Sequence, residues 1–422
     1  METSLERVQM KDELIHINNN KLFFNNRSAR DLVNEYDSPL YLYSEKILRD
    51  TCRSLKKMIT YPDVEINYSV KANTNLQILK LIREEGFHVD AMSPGEIFLE
   101  EKAGYLQNEI FFISNNASTE EFKYAVERNI MISVDSLSQL HKFGQLFPGK
   151  KIAVRINPGK GAGHHEKVIT AGEKSKFGIP TEYINEIHTI AKTHNLIITG
   201  LNMHIGSNYL ESSTLLNAVS ILLSSAFTFK NLDFIDIGGG FGIPYRPGET
   251  SLDILALGKE LDTIFDNWTQ KYGKRIRFFL EPGRYVVAQS GILLTQVESI
   301  KKNPTRTFIG ADAGFNILTR PMTYGSYHEI INCNHVKGET NIVDISGNIC
   351  ESGDLFAHNR NITLTKEDDV LAILDAGAYG YSMASNYNAR LRPAEVLMRQ
   401  DGTFILIRKR DTLEDLLLNQ IF

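Results

Sequence analysis

Glu65-Ile66-Asn67-Tyr68-Ser69-Val70-Lys71-Ala72-Asn73 is the stretch from which the rest of the chain is read. From Glu65 to Val70 it alternates and is rich in β-formers, which predicts a strand. Lys71 stands where that strand ends and a polar turn begins. A lysine at the mouth of a buried strand is well placed to be partly desolvated, which lowers its pKa and frees the amine to form a Schiff base. The ordinary alternative is a strand-end lysine reaching into solvent.

Downstream the same texture recurs. Short apolar runs with strand character lie at 65–70, 88–91, 110–113, 131–134, 152–156, 197–204, 234–237 and 278–280, separated by amphipathic segments such as Leu76-Gln77-Ile78-Leu79-Lys80-Leu81-Ile82. About eight strands alternating with helices over roughly 235 residues is the size of a (β/α)8 barrel. A doubly wound open sheet is the competing architecture. The polar residues favour the barrel, whose chemistry sits at the C-terminal ends of its strands. Those ends carry Lys71, Asp90, Arg155 with Asn157, His204, the glycine loop Gly238-Gly239-Gly240-Phe241-Gly242, and Glu281 with Arg284.

Upstream, residues 1–44 hold short apolar pieces and Asn-rich turns, and a helical pattern from Glu45 puts Leu48, Cys52, Leu55 and Met58 on one face. Past Arg284, strand-like runs follow each other with little helix. The expected organisation is a barrel over 45–284 and a mostly antiparallel β domain over 285–422, joined by the N-terminal strands. Tyr285–Val287 is read as the first strand of that second domain.

Composition narrows the function. The chain has 422 residues, 42% of them hydrophobic and 23% charged, with a net charge of −5. That balance fits a globular enzyme and speaks against nucleic acid or an anionic membrane as partner. Cys52, Cys333 and Cys350 have neither disulfide-framework nor zinc spacing, so no metal site is expected and a reducing compartment is. No apolar leader or bilayer-length run is present, and the expected location is the cytoplasm.

The loop Gly238–Gly242 follows the seventh strand, where barrels commonly bind phosphate through backbone amides. It is not a dinucleotide fingerprint, because the third glycine position is Ile243. Ser207, in His204-Ile205-Gly206-Ser207, is a further phosphate donor. In Glu281-Pro282-Gly283-Arg284, a carboxylate ends the eighth strand. With pyridoxal phosphate as cofactor, that carboxylate holds the ring nitrogen protonated and makes the ring an electron sink. In the second domain, Arg320 and Tyr324 suit a carboxylate. Cys350-Glu351 sets a thiol beside an acid, although a free cysteine is more often a buried small hydrophobe. Ser385-Asn386-Tyr387-Asn388-Ala389-Arg390 is too polar for a core strand and reads as a functional or interface loop.

These motifs, together with Tyr324-Gly325-Ser326-Tyr327-His328-Glu329, Cys350-Glu351-Ser352-Gly353-Asp354 and Gly377-Ala378-Tyr379-Gly380, closely resemble the diaminopimelate decarboxylases. The resemblance runs in order from about Pro39 to Arg408. It implies an alanine-racemase-like pyridoxal-phosphate enzyme that removes CO2 from meso-2,6-diaminopimelate to give L-lysine, the last step of lysine biosynthesis. It also implies the roles. Lys71 is the Schiff-base lysine and His204 stacks on the cofactor ring. Asp90, Ser207, Gly239, Gly240, Pro282, Gly283, Arg284 and Tyr379 bind the cofactor, and Glu281 pairs with its ring nitrogen. Arg284, Arg320, Tyr324, Glu351 and Tyr379 hold the substrate. Cys350, the proton donor, and Glu351 come from the partner subunit of a homodimer. Ser326, Phe315 and Ile317 depart from the family pattern without touching these roles. A decarboxylase of ornithine, arginine or a D-amino acid, or a non-catalytic carrier of the cofactor, is the alternative. Glycines, His164-His165 and lysines over 159–176 suggest a lid.

Overall fold

The computed structural model describes residues 3–159, 161–163, 165, 170–172 and 175–421. The central part of the expected lid, including His164, lies outside these residues. The chain separates into two compact units. One comprises Thr51–Ile243 and Ser251–Tyr285; the other comprises Met1–Asp50, Pro244–Thr250 and Val286–Phe422.

The first unit is the expected barrel. Its strands are β1 (Val64–Ser69), β2 (His88–Ala91), β3 (Ile110–Ile113), β4 (Met131–Val134), β5 (Lys151–Asn157), β6 (Ile197–Asn202), β7 (Phe234–Gly239) and β8 (Arg277–Glu281). Each pairs in parallel with the next, and β8 closes on β1 with Phe278 opposite Val64 and Leu280 opposite Ile66. Strands covered on both faces need apolar residues at successive positions, and all four residues of β3 are buried. The helices between them are α1 (Leu76–Glu84), α2 (Pro94–Ala103), α3 (Thr119–Glu127), α4 (Leu137–Leu146), α5 (Ile184–Thr193), α6 (Ser213–Ala226) and α7 (Ile254–Tyr272).

Their ends are written in the sequence. Ser93 caps α2 by accepting from the Glu96 amide, Pro94 occupies the first turn, and Gly104 ends the helix in the left-handed region. Ser118 and Glu121 form a reciprocal capping box on α3. A serine cap contributes about 1 kcal/mol, and a glycine just past the helix satisfies the last carbonyls. Apolar side chains on one face, such as Ile78, Leu79 and Ile82 of α1, are then buried. Inside the barrel, Phe111, Phe234 and Phe279 pack with ring centroids 5.0–6.3 Å apart.

The second unit carries a mixed sheet. Its order is Leu355–Thr363, Thr340–Ser346, Thr307–Ala311, Gly291–Lys302, Leu40–Ser44, Ala394–Met398 and Phe404–Arg408, with Val370–Ile373 also paired to Gly291–Lys302. Most pairings are antiparallel, as expected, but Thr307–Ala311 with Thr340–Ser346 and Leu40–Ser44 with Ala394–Met398 are parallel. A small hairpin precedes it, turning at Asn19 and Asn20, both with positive φ, as a primed two-residue turn requires. Residues 285–287 correct the sequence reading: Arg284–Val287 is one helical turn. The β-branched pair Val286-Val287 favours a strand locally, but both side chains are fully buried in this helical turn, so packing overrides propensity.

Candidate active site

The C-terminal ends of the barrel strands converge on Lys71. The expected strand stops one residue earlier than its pattern, and Val70–Ala72 makes a short 3-10 turn that lifts Lys71 off β1. Below it, Ser69 donates to Asp90 Oδ2 at 2.6 Å. The Lys71 ammonium acts on a ring of titratable groups: it pulls down the carboxyls of Asp90, Glu96 and Glu281 and the imidazole of His204. Burial works the other way on the acids. It pushes Asp90 and Glu281 well above the carboxylate range, Asp90 with help from the charge of Glu281 and Glu281 with help from that of Asp236.

His204 is neutral. Burial, then the charges of Lys71 and Arg155, hold its imidazole well below the ordinary value. Its Nδ1 accepts from the Gly239 amide at 3.2 Å, which places the proton on Nε2. The ring therefore presents a fixed, uncharged face. Glu281 Oε2 lies 3.8 Å from Nδ1, too far for a hydrogen bond.

The glycine loop is shaped by close approach. A Cβ on Gly239 would run into the carbonyl oxygen of Glu281, and one on Gly240, whose φ is +94°, into that of Gly206. Tyr209 Oη donates to the Gly239 carbonyl at 2.9 Å. Arg284 Nη2 donates to Ser207 Oγ at 3.0 Å, so the two expected phosphate or carboxylate ligands already touch. Pro282 and Gly283 are buried between them and Glu281.

Asp236, inside β7, is an acid that the sequence reading passed over. The signal was present: a carboxylate within the apolar run Phe234-Ile235-Asp236-Ile237. It accepts from the Gly238 amide at 2.8 Å, and burial pushes its pKa up to about 7. Glu96 and Glu100 on α2 were missed too. Glu96 accepts from the Met92 amide at 2.6 Å, and Glu100 is fully buried.

The rise at Asp236 has a sign. The folded state keeps a proton that the unfolded chain releases above its ordinary carboxyl pKa, so stability falls as pH climbs from about 4 through 7. The effect is at most about 4 kcal/mol. In the cofactor-free protein, Asp236→Asn is expected to raise Tm more at pH 8 than at pH 5. Equal shifts at both values would show that Asp236 does not carry this proton.

The remaining expected site residues lie in the second unit. Arg320 is 1% exposed; its Nη1 bonds His328 Nε2 at 2.7 Å, and its guanidinium lies 4.5 Å from the Tyr245 ring centroid. Tyr324 ends the short helix Arg320–Tyr324. Tyr379 holds a φ of 56°, a left-handed backbone unusual for an aromatic residue. Cys350 and Glu351 are exposed at the tip of a loop, whereas Cys52 and Cys333 are buried.

A cavity of about 700 Å³ lies at the other end of the barrel, lined by residues such as His88, Met131 and Ile197 at strand starts. None of the expected site residues lines it. The end carrying Lys71 is therefore the candidate site on chemistry, not on volume.

The groups at this end fit a pyridoxal cofactor. The Glu281 carboxyl shares a hydrogen bond with Asp236, while its buried Oε1 faces no other donor among the described residues and can accept from a protonated ring nitrogen. Residues 45–288 match the family described as pyridoxal-dependent decarboxylase, pyridoxal binding domain. The diaminopimelate decarboxylase of Methanothermobacter thermautotrophicus is 42% identical over 409 residues, covering 94% of this chain and 95% of that protein. The crystal structure of the M. jannaschii diaminopimelate decarboxylase in complex with L-lysine superposes with a TM-score of 0.86 at 32% identity, over 97% of this chain and 98% of that one. The Helicobacter pylori enzyme complexed with L-lysine gives 0.84 at 32%, over 92% and 98%. With a lysine, a neutral histidine and a buried acid gathered at one barrel mouth, and likeness extending through both units, the chain belongs to the diaminopimelate decarboxylase family of pyridoxal-dependent decarboxylases.

Proposed function

We propose that the protein converts meso-2,6-diaminopimelate to L-lysine and CO2 with pyridoxal 5′-phosphate, the last step of lysine biosynthesis, in the cytoplasm. The observation that carries this reading is the grouping of Lys71, His204 and Glu281 at the barrel mouth of a chain that matches diaminopimelate decarboxylases along nearly its whole length. The bound cofactor supplies an electron sink for the pair left behind when CO2 departs.

The chain's own residues do the rest. Lys71 holds the cofactor through its amine. His204 offers a flat neutral ring, kept in one tautomer by the Gly239 amide. Glu281 bonds the ring nitrogen, with Asp236 behind it to share the proton that burial keeps on the pair. Ser207, Gly239, Gly240, Pro282, Gly283, Arg284 and Tyr379 hold the phosphate end, and Asp90, tied to Ser69, braces the strand end beneath Lys71. Arg284, Arg320, Tyr324, Tyr379 and Glu351 meet the substrate. The guanidinium of Arg320 is held in one orientation by His328 and Tyr245. Cys350 Sγ delivers the proton to carbon. Cys350 and Glu351 act in the partner's site of a homodimer, and their exposure on a loop tip suits that use.

The test is CO2 release with chiral analysis of the product. Meso-diaminopimelate is expected to give L-lysine, with little turnover of L-lysine, L-ornithine, L-arginine or the D-isomers. Preferential turnover of ornithine or arginine would overturn the roles given to Arg320, Tyr324 and Glu351, since a bare distal amine needs no arginine.

A further inference from the structure

The loop that bears Cys350 is built from both ends. Asp354 shapes it from within: its carboxylate accepts from the Phe315 and Ile349 amides, each at 2.7 Å, and its carbonyl accepts from the Gly347 amide at 3.0 Å. These bonds fix the base of the loop. Cys350 sits beyond them, exposed, and its amide donates to the side-chain carbonyl of Asn388 at 2.8 Å. Two residues on, Arg390 Nη2 donates to the Asn348 carbonyl at 3.1 Å. The thiol-bearing tip is thus held from outside by a segment 38 residues away in sequence.

That segment has an uncommon backbone. Asn388 and Ala389 are both left-handed, with φ of 57° and 54°. L-residues seldom adopt this region, asparagine being among the exceptions. Neighbouring contacts hold the segment in place. Asn386 Nδ2 donates to the Arg390 carbonyl at 3.0 Å and to Asp411 Oδ2 at 2.9 Å. Ser385 donates its amide to the Asn316 carbonyl at 2.8 Å, and the Tyr387 ring lies 5.7 Å from that of Phe315. Backbone strain enforced by its surroundings concentrates where a side chain must be aimed.

We propose that Asn388 is a positioning residue for the decarboxylation: its side-chain carbonyl holds the Cys350 amide and thereby fixes where the thiol is presented for proton transfer. This rests on the reading of Cys350 as the proton donor. Asn388 itself touches neither substrate nor cofactor in this role. A loosened Cys350 amide leaves the thiol present but aimed over a wider range, and proton transfer depends on a hydrogen-bond distance to the accepting atom.

Two variants of the full-length holoenzyme separate this from a merely structural role. Asn388→Gly removes the acceptor and keeps a residue that is at ease with positive φ. Asn388→Asp keeps an acceptor oxygen at the same place. In Asn388→Gly, kcat is expected to fall about 5- to 10-fold, the worth of one hydrogen bond, with KM for meso-diaminopimelate unchanged. Amide hydrogen exchange in the peptide spanning 347–354 should quicken by a similar factor, and Asn388→Asp should restore both. Added to Cys350→Ala, Asn388→Gly should cost nothing further, because the two act through one thiol. The proposal is overturned if Asn388→Gly keeps wild-type kcat and exchange while Cys350→Ala is slow, or if the two losses multiply. Full turnover by Cys350→Ala overturns the proton-donor reading itself, and the positioning role goes with it.

Discussion

Replacing Lys71 by Ala is expected to abolish decarboxylation of meso-diaminopimelate and, with it, the visible absorbance of a lysine-linked pyridoxal cofactor. The expectation follows from what the amine faces. Lys71 is set on a 3-10 turn at the end of β1, within the electrostatic reach of Asp90, Glu96, Glu281 and His204. Among the described residues, Lys71 is the lysine whose charge acts on all four. Covalent catalysis by a positioned amine has no partial replacement in a methyl group. Activity should fall to the assay background while the fold persists, as a circular-dichroism spectrum would verify. A Lys71→Ala enzyme that turned over at the wild-type rate would remove Lys71 from the mechanism.

The second large effect belongs to Cys350. Cys350→Ala should slow turnover by about 10²–10⁴, the usual worth of a positioned acid, and leave cofactor absorbance intact. It is an exposed residue in the unit that lacks Lys71, so the loss should come without a loss of stability. Mixing the inactive Lys71→Ala and Cys350→Ala proteins then tests whether sites are shared across a two-fold interface. A mixed dimer would carry one doubly damaged site and one intact site, so statistical exchange would restore about a quarter of wild-type activity. Proven exchange of subunits with no recovery would argue for sites built within one chain.

Most of the barrel was legible because parallel strands buried on both faces must be apolar at successive positions; Ile110-Phe111-Phe112-Ile113 could be little else. Strand ends were legible for the converse reason, since Lys71, His204 and Glu281 break apolar runs at the same relative place. The second unit was harder. Leu355–Thr363 carries His358, Asn359, Arg360 and Asn361 in its middle and has no period to read. Nothing local marks Pro244–Thr250, between β7 and α7, as part of the other unit, because that grouping is made by distant contacts such as Arg7 donating to the Pro244 carbonyl at 2.8 Å. Asp236 escaped for a subtler reason. It precedes the glycine loop, and its role depends on how deeply β7 is buried and on the neighbouring acid of β8, which is tertiary information. Asn388 was readable only as part of a loop too polar for a core strand; its hold on Cys350 spans 38 residues.

The meeting of Gly239 with the carbonyl of Glu281 bears on how substitution maps of such enzymes are interpreted. A library covering every position would show Gly239 intolerant of all side chains, and the natural inference would be direct contact with an anion. Here the intolerance has a prior cause, since the added carbon would push against the main chain that carries the acid. A damaged phosphate grip and a displaced ring-nitrogen partner would then arrive together from one change. The loop and the eighth strand meet at this point, so loss of cofactor affinity in a Gly239 variant would say little about which of the two had failed.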